Sequence, residues 1–211
     1  MRMRKKPWAN DMIASRTDCV IADPTEMKGK WHQFGFKTIA VEIGAGKGDY
    51  WIGMAHLYPD TLWIAIEKNY DAAAIALKKS IDNTLDNMKF IVADAAHINE
   101  WFDTNEVDRI HLNFSDPWPK KAHTKRRLTY GTFLADYHNI LTEDGCIVMK
   151  TDNRKLFEFS LVSFNKSNYQ MEEVYLDYRE TEHADDVITE YEHNFMEKGQ
   201  PIYRAVFKPV R

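Results

Sequence analysis

The chain has 211 residues, of which 44% are hydrophobic and 28% are charged, and its formal net charge is −4. These shares exclude collagen-like, coiled-coil and largely disordered proteins and predict one globular domain over residues 1–211. No apolar run reaches the roughly 20 residues of a membrane helix. In a secretory signal an apolar segment follows the basic start, whereas here mostly polar residues follow it. We therefore expect a cytoplasmic protein without a membrane partner. Its N-terminal segment, about residues 1–30, is basic, and the sequence leaves its flexibility open.

Short apolar runs alternate with segments of helical spacing along the first 150 residues. The runs predict buried strands at 38–43, 62–66, 89–92, 109–114 and 146–149, and the spacing predicts helices at 50–57, 70–81 and 129–141. After residue 150 we expect a helix at 153–164, a strand at 169–177, a long polar loop and a strand at 202–208. Strands that alternate with helices predict an α/β fold with a mostly parallel, seven-stranded sheet and helices on both faces. The two late strands are expected to form an antiparallel pair at the sheet edge.

The residues that follow the first three strands are candidates for a nucleoside site, because open parallel sheets bind ligands beyond the carboxyl ends of their strands. The first strand leads from Glu42 into a glycine turn that contains Gly44 and Gly46, with GxGxG spacing and not the GxGxxG of dinucleotide-binding proteins. Glu67 ends the second strand, where a carboxylate can accept hydrogen bonds from ribose hydroxyls. Asp94 follows the third strand, where an adenine amino group can be bound.

S-adenosyl-L-methionine is the cofactor that fits this set. Its sulfonium and ammonium groups are cationic, so they are tolerated beside the carboxylate of Glu42, which would repel a pyrophosphate. Taken by themselves, the glycines could form a tight turn that binds no ligand. Glu67, taken by itself, could be a solvent-exposed cap at the end of the strand.

The most informative string, LNFSDPWPKKAHTKRRLTY at 112–130, follows the fourth strand into the same crevice. Two prolines flank Trp118 and stiffen the turn, so Asp116 has little conformational freedom to lose. The basic run that follows can neutralise RNA phosphates in a salt-sensitive way, and a net acidic protein can bind RNA through one locally positive face. A proline-rich structural turn with a buried tryptophan is the alternative.

This string resembles the bacterial tRNA (guanine-N7)-methyltransferase family. The resemblance is carried by NFSDPWPKK, HTKRRLT, KTDN at 150–153, TEYE at 189–192, Phe195 and Gly199, and it extends from KGKW at 28–31 to PIYR at 201–204. It implies a class I, Rossmann-like methyltransferase fold. It also implies transfer of a methyl group from S-adenosyl-L-methionine to N7 of guanosine 46 in the tRNA variable loop.

The resemblance further implies roles for individual residues. Contacts to the methyl donor fall on Glu42, Glu67, Asp94 and Asp116, beside the glycine turn with Gly44 and Gly46. Contacts to the guanosine or its nucleotide fall on Lys120, Asp152, Thr189, Glu190, Tyr191 and Glu192. Contacts to RNA fall on Lys121, His123, Lys125, Arg126 and Arg127. Ala122 stands where the family usually has a basic residue, which leaves the RNA-facing run one charge poorer. Members act as monomers or as homodimers, and the sequence does not decide between them.

The chemistry is consistent with these assignments. Guanine N7 has a lone pair and no proton, so it can attack a methyl group without a general base. The site must align the reacting atoms, and a carboxylate can stabilise the positive charge that moves onto the purine. Asp116 is the candidate catalytic residue. It can also accept hydrogen bonds from the guanine N1 and N2 protons, a task that Asp152 or Glu192 can share.

Other functions remain open at this point. The nearest is methyl transfer to an exocyclic amine of RNA, since DPWP stands where amine methyltransferases carry an acid or amide, a proline and an aromatic ring. A non-catalytic RNA-binding module and a nicotinamide-dependent dehydrogenase are more distant. No metal is expected, because the sequence contains no HxxxH or CxxC pair.

Overall fold

A seven-stranded sheet forms the centre of the computed structural model, which describes residues 5–211. Arg2 and Arg4, two of the residues that make the N-terminal segment basic, lie outside the described residues. The strand order is β3-β2-β1-β4-β5-β7-β6. β1 to β5 are parallel, and β7 runs antiparallel to β5 and β6. The strands are β1 Thr38–Ile43, β2 Thr61–Ile66, β3 Met88–Ile91, β4 Val107–Asn113, β5 Leu141–Thr151, β6 Tyr169–Tyr175 and β7 Tyr203–Pro209. The α/β fold, the mostly parallel sheet and the late antiparallel pair are as predicted.

Helices cover both faces of the sheet. They are α1 Ala9–Ser15, α2 Asp49–Leu57, α3 Tyr70–Ser80, α4 Ile98–Trp101, α5 Gly131–Ile140, α6 Arg154–Asn165 and α7 Glu190–Met196. Successive side chains of a strand point to opposite faces, so Ile39 and Val41 pack in one apolar cluster with Leu134 of α5, whereas Ala40 packs in the other with Trp51 of α2. Burial on both faces explains why β1 and β2 consist mostly of apolar residues.

Two segments have structure that hydrophobic periodicity does not predict. At the N-terminus, α1 packs on α3, and the ammonium of Lys78 lies 5.2 Å from the centroid of the Trp8 ring. Residues 178–201, predicted as a long polar loop, contain α7, so that prediction is wrong there. This helix has only seven residues; it begins where the Thr189 hydroxyl accepts the Glu192 N–H, and an ion pair rather than an apolar stripe holds it.

The sheet topology fixes where a ligand can bind. β1 lies between β2 and β4, so the connections from β1 and β4 leave in opposite directions and open a crevice at their carboxyl ends. Glu42 and Asn113 stand side by side there, and the Asn113 amide donates to Glu42 Oε1 over 3.1 Å. Within residues 5–211, no helix combines the length and the apolar character needed to cross a bilayer.

Candidate active site

Two adjoining cavities occupy this crevice. The first, the β2-side cavity, lies between the ends of β1 to β3 and the turn after β4, and the second, the α7-side cavity, lies between the glycine turn and α7. Gly44 and Phe114 line both cavities, so the two adjoin each other at these residues. Predicted residues that line the β2-side cavity are Gly44, Glu67, Asp94, Asp116 and Arg126. Those that line the α7-side cavity are Glu42, Gly44, Gly46, Thr189, Glu190 and Tyr191.

The glycine turn leaves the backbone bare where the two cavities meet. Gly44, Gly46 and Gly48 have φ angles of 79°, 56° and 80°, a region that L side chains rarely adopt. A Cβ at Gly44 would meet no atom within 4 Å, so it would occupy ligand space and not protein space. A Cβ at Gly48 would lie 2.7 Å from the Cβ of Ala76, so this glycine allows α2 to begin close to α3.

Backbone amides orient Glu67 and Asp94, two of the three carboxylates that line the β2-side cavity. Glu67 accepts the Gly46 N–H at Oε2 over 2.9 Å and the Asn69 N–H at Oε1 over 2.7 Å. Asp94 accepts the Ala96 N–H over 3.1 Å, and its other oxygen lies 3.4 Å from the Lys68 ammonium. Each carboxylate oxygen has a second lone pair, so both groups can still accept hydrogen bonds from a ligand.

Glu42 is buried at the wall of the α7-side cavity, with 3% of its surface exposed. Asn113 satisfies one oxygen, and among the described residues Oε2 has no hydrogen-bond partner. Burial raises the pKa of Glu42 to about 7. Because an unpaired buried carboxylate oxygen is costly, this position suits a ligand that brings a cationic N–H group. The ammonium of S-adenosyl-L-methionine is such a group, and the bare glycine turn beside it has room for the rest of the molecule.

The turn after β4 presents Asp116 at the surface of the β2-side cavity. Phe114 and Trp118 have φ angles of 49° and 40°, values at which a bulky aromatic residue is strained. Arg127 is bound to this turn, since its Nε donates to the Pro117 carbonyl over 3.0 Å and its Nη2 to the Trp118 carbonyl over 3.2 Å. The Arg127 guanidinium thus contacts the protein in this structure, whereas the resemblance implies a contact with RNA.

The rest of the basic run forms an exposed positive surface beside the β2-side cavity. Its exposed members are Lys120, Lys121, Lys125 and Arg126, and Ala122 is exposed among them. The guanidinium of Arg126 lies 5.0 Å from the centroid of the Trp118 ring. His123 packs edge-on against the same ring at 5.7 Å. Arg126 and His123 thus contact the Trp118 ring, and three further exposed cations stand in the same stretch of the chain.

Four buried charges hold the segment that lines the α7-side cavity. We call this set, Lys150, Arg179, Asp186 and Glu192, the buried charge cluster. Lys150 Nζ lies 2.7 Å from Asp186 and 3.2 Å from Glu192, and Arg179 pairs with the same two carboxylates. Burial alone would raise the pKa of Asp186, but the Lys150 ammonium and the Arg179 guanidinium hold this pKa below its usual value. Two cations and two anions compensate each other, as charges away from water require.

The cluster changes the position expected for Glu192. Its side chain is completely buried, with Oε1 bound to Arg179 and Oε2 to Lys150, so it does not reach the cavity in this structure. The direct contact with guanosine that the resemblance implies is therefore not available to it here. Sequence reasoning did not find Arg179 or Asp186. The one signal was Lys150, a lysine at the end of the apolar run that predicts β5.

Asp152 and Tyr191 complete the set around Asp116. Asp152 follows β5 and is partly buried, and burial raises its pKa. The pKa of Tyr191 is also raised, first by burial and then by the negative charges of Asp152 and Asp116. The Tyr191 ring packs against Phe114 at 5.0 Å. Tyr191 thus lies near enough to both Asp116 and Asp152 to respond to their charges, although Asp152 lines neither cavity. In residues 5–211, no three His, Cys, Asp or Glu side chains are grouped as metal ligands.

Comparison with known proteins agrees with this geometry. Residues 37–205 match a family described as "Putative methyltransferase". The chain is 46% identical to the tRNA (guanine-N(7)-)-methyltransferase of Limosilactobacillus reuteri, with 98% of each chain covered. It is 48% identical to the protein of that name from Geobacillus kaustophilus, with 100% and 99% covered.

Solved structures share the fold. A 30S ribosomal A1408 methyltransferase from an uncultured bacterium has a TM-score of 0.62 at 18% identity, with 90% of this chain and 95% of that chain covered. An antibiotic-related methyltransferase has a TM-score of 0.61 at 18% identity, with 82% and 89% covered. The resemblance read from the SDPWP string is thus confirmed, and the chain belongs to the tRNA (guanine-N7)-methyltransferase family.

Proposed function

We propose that this chain, as one methyltransferase domain over residues 1–211, transfers a methyl group from S-adenosyl-L-methionine to N7 of guanosine 46 in tRNA. The observation that carries the proposal is the crevice at the ends of β1 and β4. Its lining contains carboxylates that can bind the donor (Glu42, Glu67 and Asp94), and Asp116 and an exposed basic surface lie beside them. The full-length similarity to tRNA (guanine-N(7)-)-methyltransferases supports the choice of reaction.

The donor-binding residues come from the first three strand ends. S-adenosyl-L-methionine supplies an electrophilic methyl group on a sulfonium. Glu42 has the unpaired oxygen that an ammonium can approach, and Glu67 has lone pairs for ribose hydroxyls. Asp94 also lines the β2-side cavity, and its carboxylate can accept a hydrogen bond from the adenine amino group. Gly44 and Gly46 allow close approach of the ligand to the backbone.

Asp116 is the catalytic residue of the proposal. Guanine N7 needs no base, so the residue's tasks are to accept hydrogen bonds from the purine edge and to offset the positive charge that develops on the ring. In this proposal the guanosine is surrounded by Lys120, Asp152, Thr189, Glu190 and Tyr191. Glu192 contributes indirectly, because it holds α7 in place through the buried charge cluster.

The exposed part of the basic run is the proposed contact with tRNA. Lys121, Lys125 and Arg126 can neutralise phosphates next to the cavity, with His123 beside them, and release of counterions makes the affinity salt-dependent. The proposal holds for a monomer and for a homodimer, the two states that the resemblance implies. Maturation of bacterial tRNA takes place in the cytoplasm, so a cytoplasmic location follows from the proposed substrate.

Mapping of the modified nucleotide tests the proposal. The protein is incubated with an unmodified tRNA transcript and methyl-labelled donor. The RNA is analysed by mass spectrometry and by borohydride reduction followed by aniline, which cleaves the chain at N7-methylguanosine. We expect label and cleavage at position 46, and none in a transcript with adenosine there. Label without cleavage would reject N7 as the acceptor, and a nucleoside methylated on its exocyclic amine in the mass spectrum would establish the alternative reaction. Binding without any label would establish an RNA-binding module.

A further inference from the structure

Arg126 and Arg127 are neighbours of the same chemistry with opposite environments. The guanidinium of Arg126 is exposed and lies against the outer side of Trp118. The guanidinium of Arg127 is partly buried and lies 4.3 Å from the centroid of the Phe159 ring on α6. The difference indicates that the two arginines do different things, although the sequence places both in one basic run.

Arg127 binds the turn that carries Asp116 at two successive carbonyls. Nε donates to the carbonyl of Pro117 and Nη2 to that of Trp118, over 3.0 and 3.2 Å. Pro117 and Pro119 have no N–H group, so the turn has few donors of its own. A guanidinium presents two parallel N–H groups in a rigid fork, whereas an ammonium is a single point of contact. The pair of carbonyls therefore requires arginine and not merely a positive charge.

The conformation that Arg127 holds is not one that the turn would adopt by itself. Trp118 has a φ of 40°, and Phe114 at the start of the turn has a φ of 49°. Non-glycine residues occupy this region only where surrounding structure over-determines it. Asp116 lies between these two residues, so the direction of its carboxylate depends on the strained turn.

We propose that Arg127 is a positioning residue: it holds the Asp116–Pro119 turn in the strained conformation that directs the Asp116 carboxylate to the guanine. It does so through two carbonyls and makes no phosphate contact. This inference rests on the proposed methyl transfer, since the alignment of Asp116 matters only if a purine is presented there. A displacement of about 1 Å at a catalytic group can lower turnover by about a hundredfold.

Arg127→Lys tests the inference, with Arg126→Ala as the matched neighbour. Turnover (kcat) and KM for tRNA are measured at saturating donor, and the affinity for tRNA is measured at several salt concentrations. We expect Arg127→Lys to lower kcat by about tenfold to a hundredfold with an unchanged salt dependence. We expect Arg126→Ala to raise KM and to reduce the slope of log affinity against log salt by about one.

Opposite outcomes would overturn the inference. If Arg127 contacted a phosphate, lysine would preserve the contact and kcat would stay normal, while Arg127→Ala would reduce the salt slope by about one. Thermal unfolding of each variant shows whether it is still folded at the assay temperature. If Arg127→Lys unfolds below the assay temperature, Arg127→Gln, whose amide has a single donor nitrogen, replaces it with the same expectations.

A readout without catalysis separates this inference from the proposed function. Loosening of the turn should speed tryptic cleavage after Lys120 and Lys121 in Arg127→Lys but not in Arg126→Ala, whatever the enzyme methylates. If the wild-type protein labels a different nucleotide and the cleavage rates still differ in this way, the proposed function fails and the role of Arg127 in holding the turn stands. Equal cleavage rates would reject that role.

Discussion

The two halves of the candidate active site are held in place by different means. The donor half is the set proposed to bind S-adenosyl-L-methionine (Glu42, Gly44, Gly46, Glu67 and Asp94), and the acceptor half is the turn with Asp116 together with residues 177–196. In the donor half, backbone N–H groups next to the strand ends orient Glu67 and Asp94. In the acceptor half, charged side chains hold the segments: Arg127 binds the turn with Asp116, and the buried charge cluster binds residues 177–196 to β5. A substitution leaves the backbone N–H group in place unless the new residue is proline, whereas a single substitution removes a guanidinium or an ammonium group. The acceptor half should therefore be the half that single substitutions disrupt most.

Lys150→Met should have the largest effect on stability. Lys150 is completely buried, and its removal leaves Asp186 and Glu192 to share Arg179. Removal of one partner of a buried ion pair costs about 3 to 5 kcal/mol, to be measured as the free energy of unfolding in denaturant. Arg154→Met is the control, because its pair with Glu158 is exposed and is worth at most about 1 kcal/mol. Equal losses in the two variants would show that the cluster does not hold the acceptor half.

Asp116→Ala should have the next largest effect, on turnover. Asp116 is exposed, so its loss should leave the fold intact, while kcat should fall by about a hundredfold to a thousandfold if the carboxylate offsets charge on the purine. Asp144→Ala, an exposed carboxylate near the start of β5, is the control for charge alone. Single-turnover kinetics at saturating donor and tRNA measure the difference. Near-normal turnover in Asp116→Ala would reject the catalytic role.

The sequence predicts the donor half better than the acceptor half, and the reason is physical. β1 has the predicted bounds, and Glu42, Gly44 and Glu67 could be placed because a strand end and the turn after it are local features. The partners of Lys150 lie 36 and 42 residues further along the chain, and no local pattern shows which charges pair over such distances.

The acceptor half also contains ambiguities that only packing resolves. In the sequence, Arg127 resembles Arg126, and the two are distinguished only by contacts such as those of Arg127 with the carbonyls of Pro117 and Trp118, ten and nine residues away. Glu192 looks like another polar residue of a charged stretch, yet it is the anion that fixes α7 to the sheet. Residue type alone therefore predicts that these side chains are functional but not whether they contact the ligand or hold the residues that do.

Glu67→Ala should affect the donor half alone. The variant loses the acceptor proposed for ribose and leaves the Gly46 and Asn69 N–H groups without this partner. Hydrogen bonds to a charged group contribute about 1.5 to 3 kcal/mol, so calorimetric titration should show affinity for S-adenosylhomocysteine reduced by roughly tenfold to a hundredfold. Binding of tRNA without donor should not change. An unaltered affinity for S-adenosylhomocysteine would remove Glu67 from the donor site.

The smallest expected effect is a dependence on pH that comes from Glu42. Its pKa is raised to about 7 by burial, and only its ionised form can pair with an ammonium. Affinity for the donor should therefore fall by up to tenfold per pH unit below pH 7 and level off above it. Titrations between pH 5.5 and 8 measure this slope, and Glu42→Gln should abolish it. A slope that persists in Glu42→Gln would assign it to another group.

The stability of the unliganded protein should change with pH in the opposite direction. The folded state holds the Glu42 proton up to about pH 7, whereas the unfolded chain releases it near the ordinary value of 4.5. Between these values the folded state binds more protons, so the contribution of Glu42 to stability falls as the pH rises and is constant above pH 7. The difference in Tm between wild type and Glu42→Gln isolates this contribution. Because one carboxyl group sets both slopes, donor affinity must rise over the same pH range in which that contribution falls.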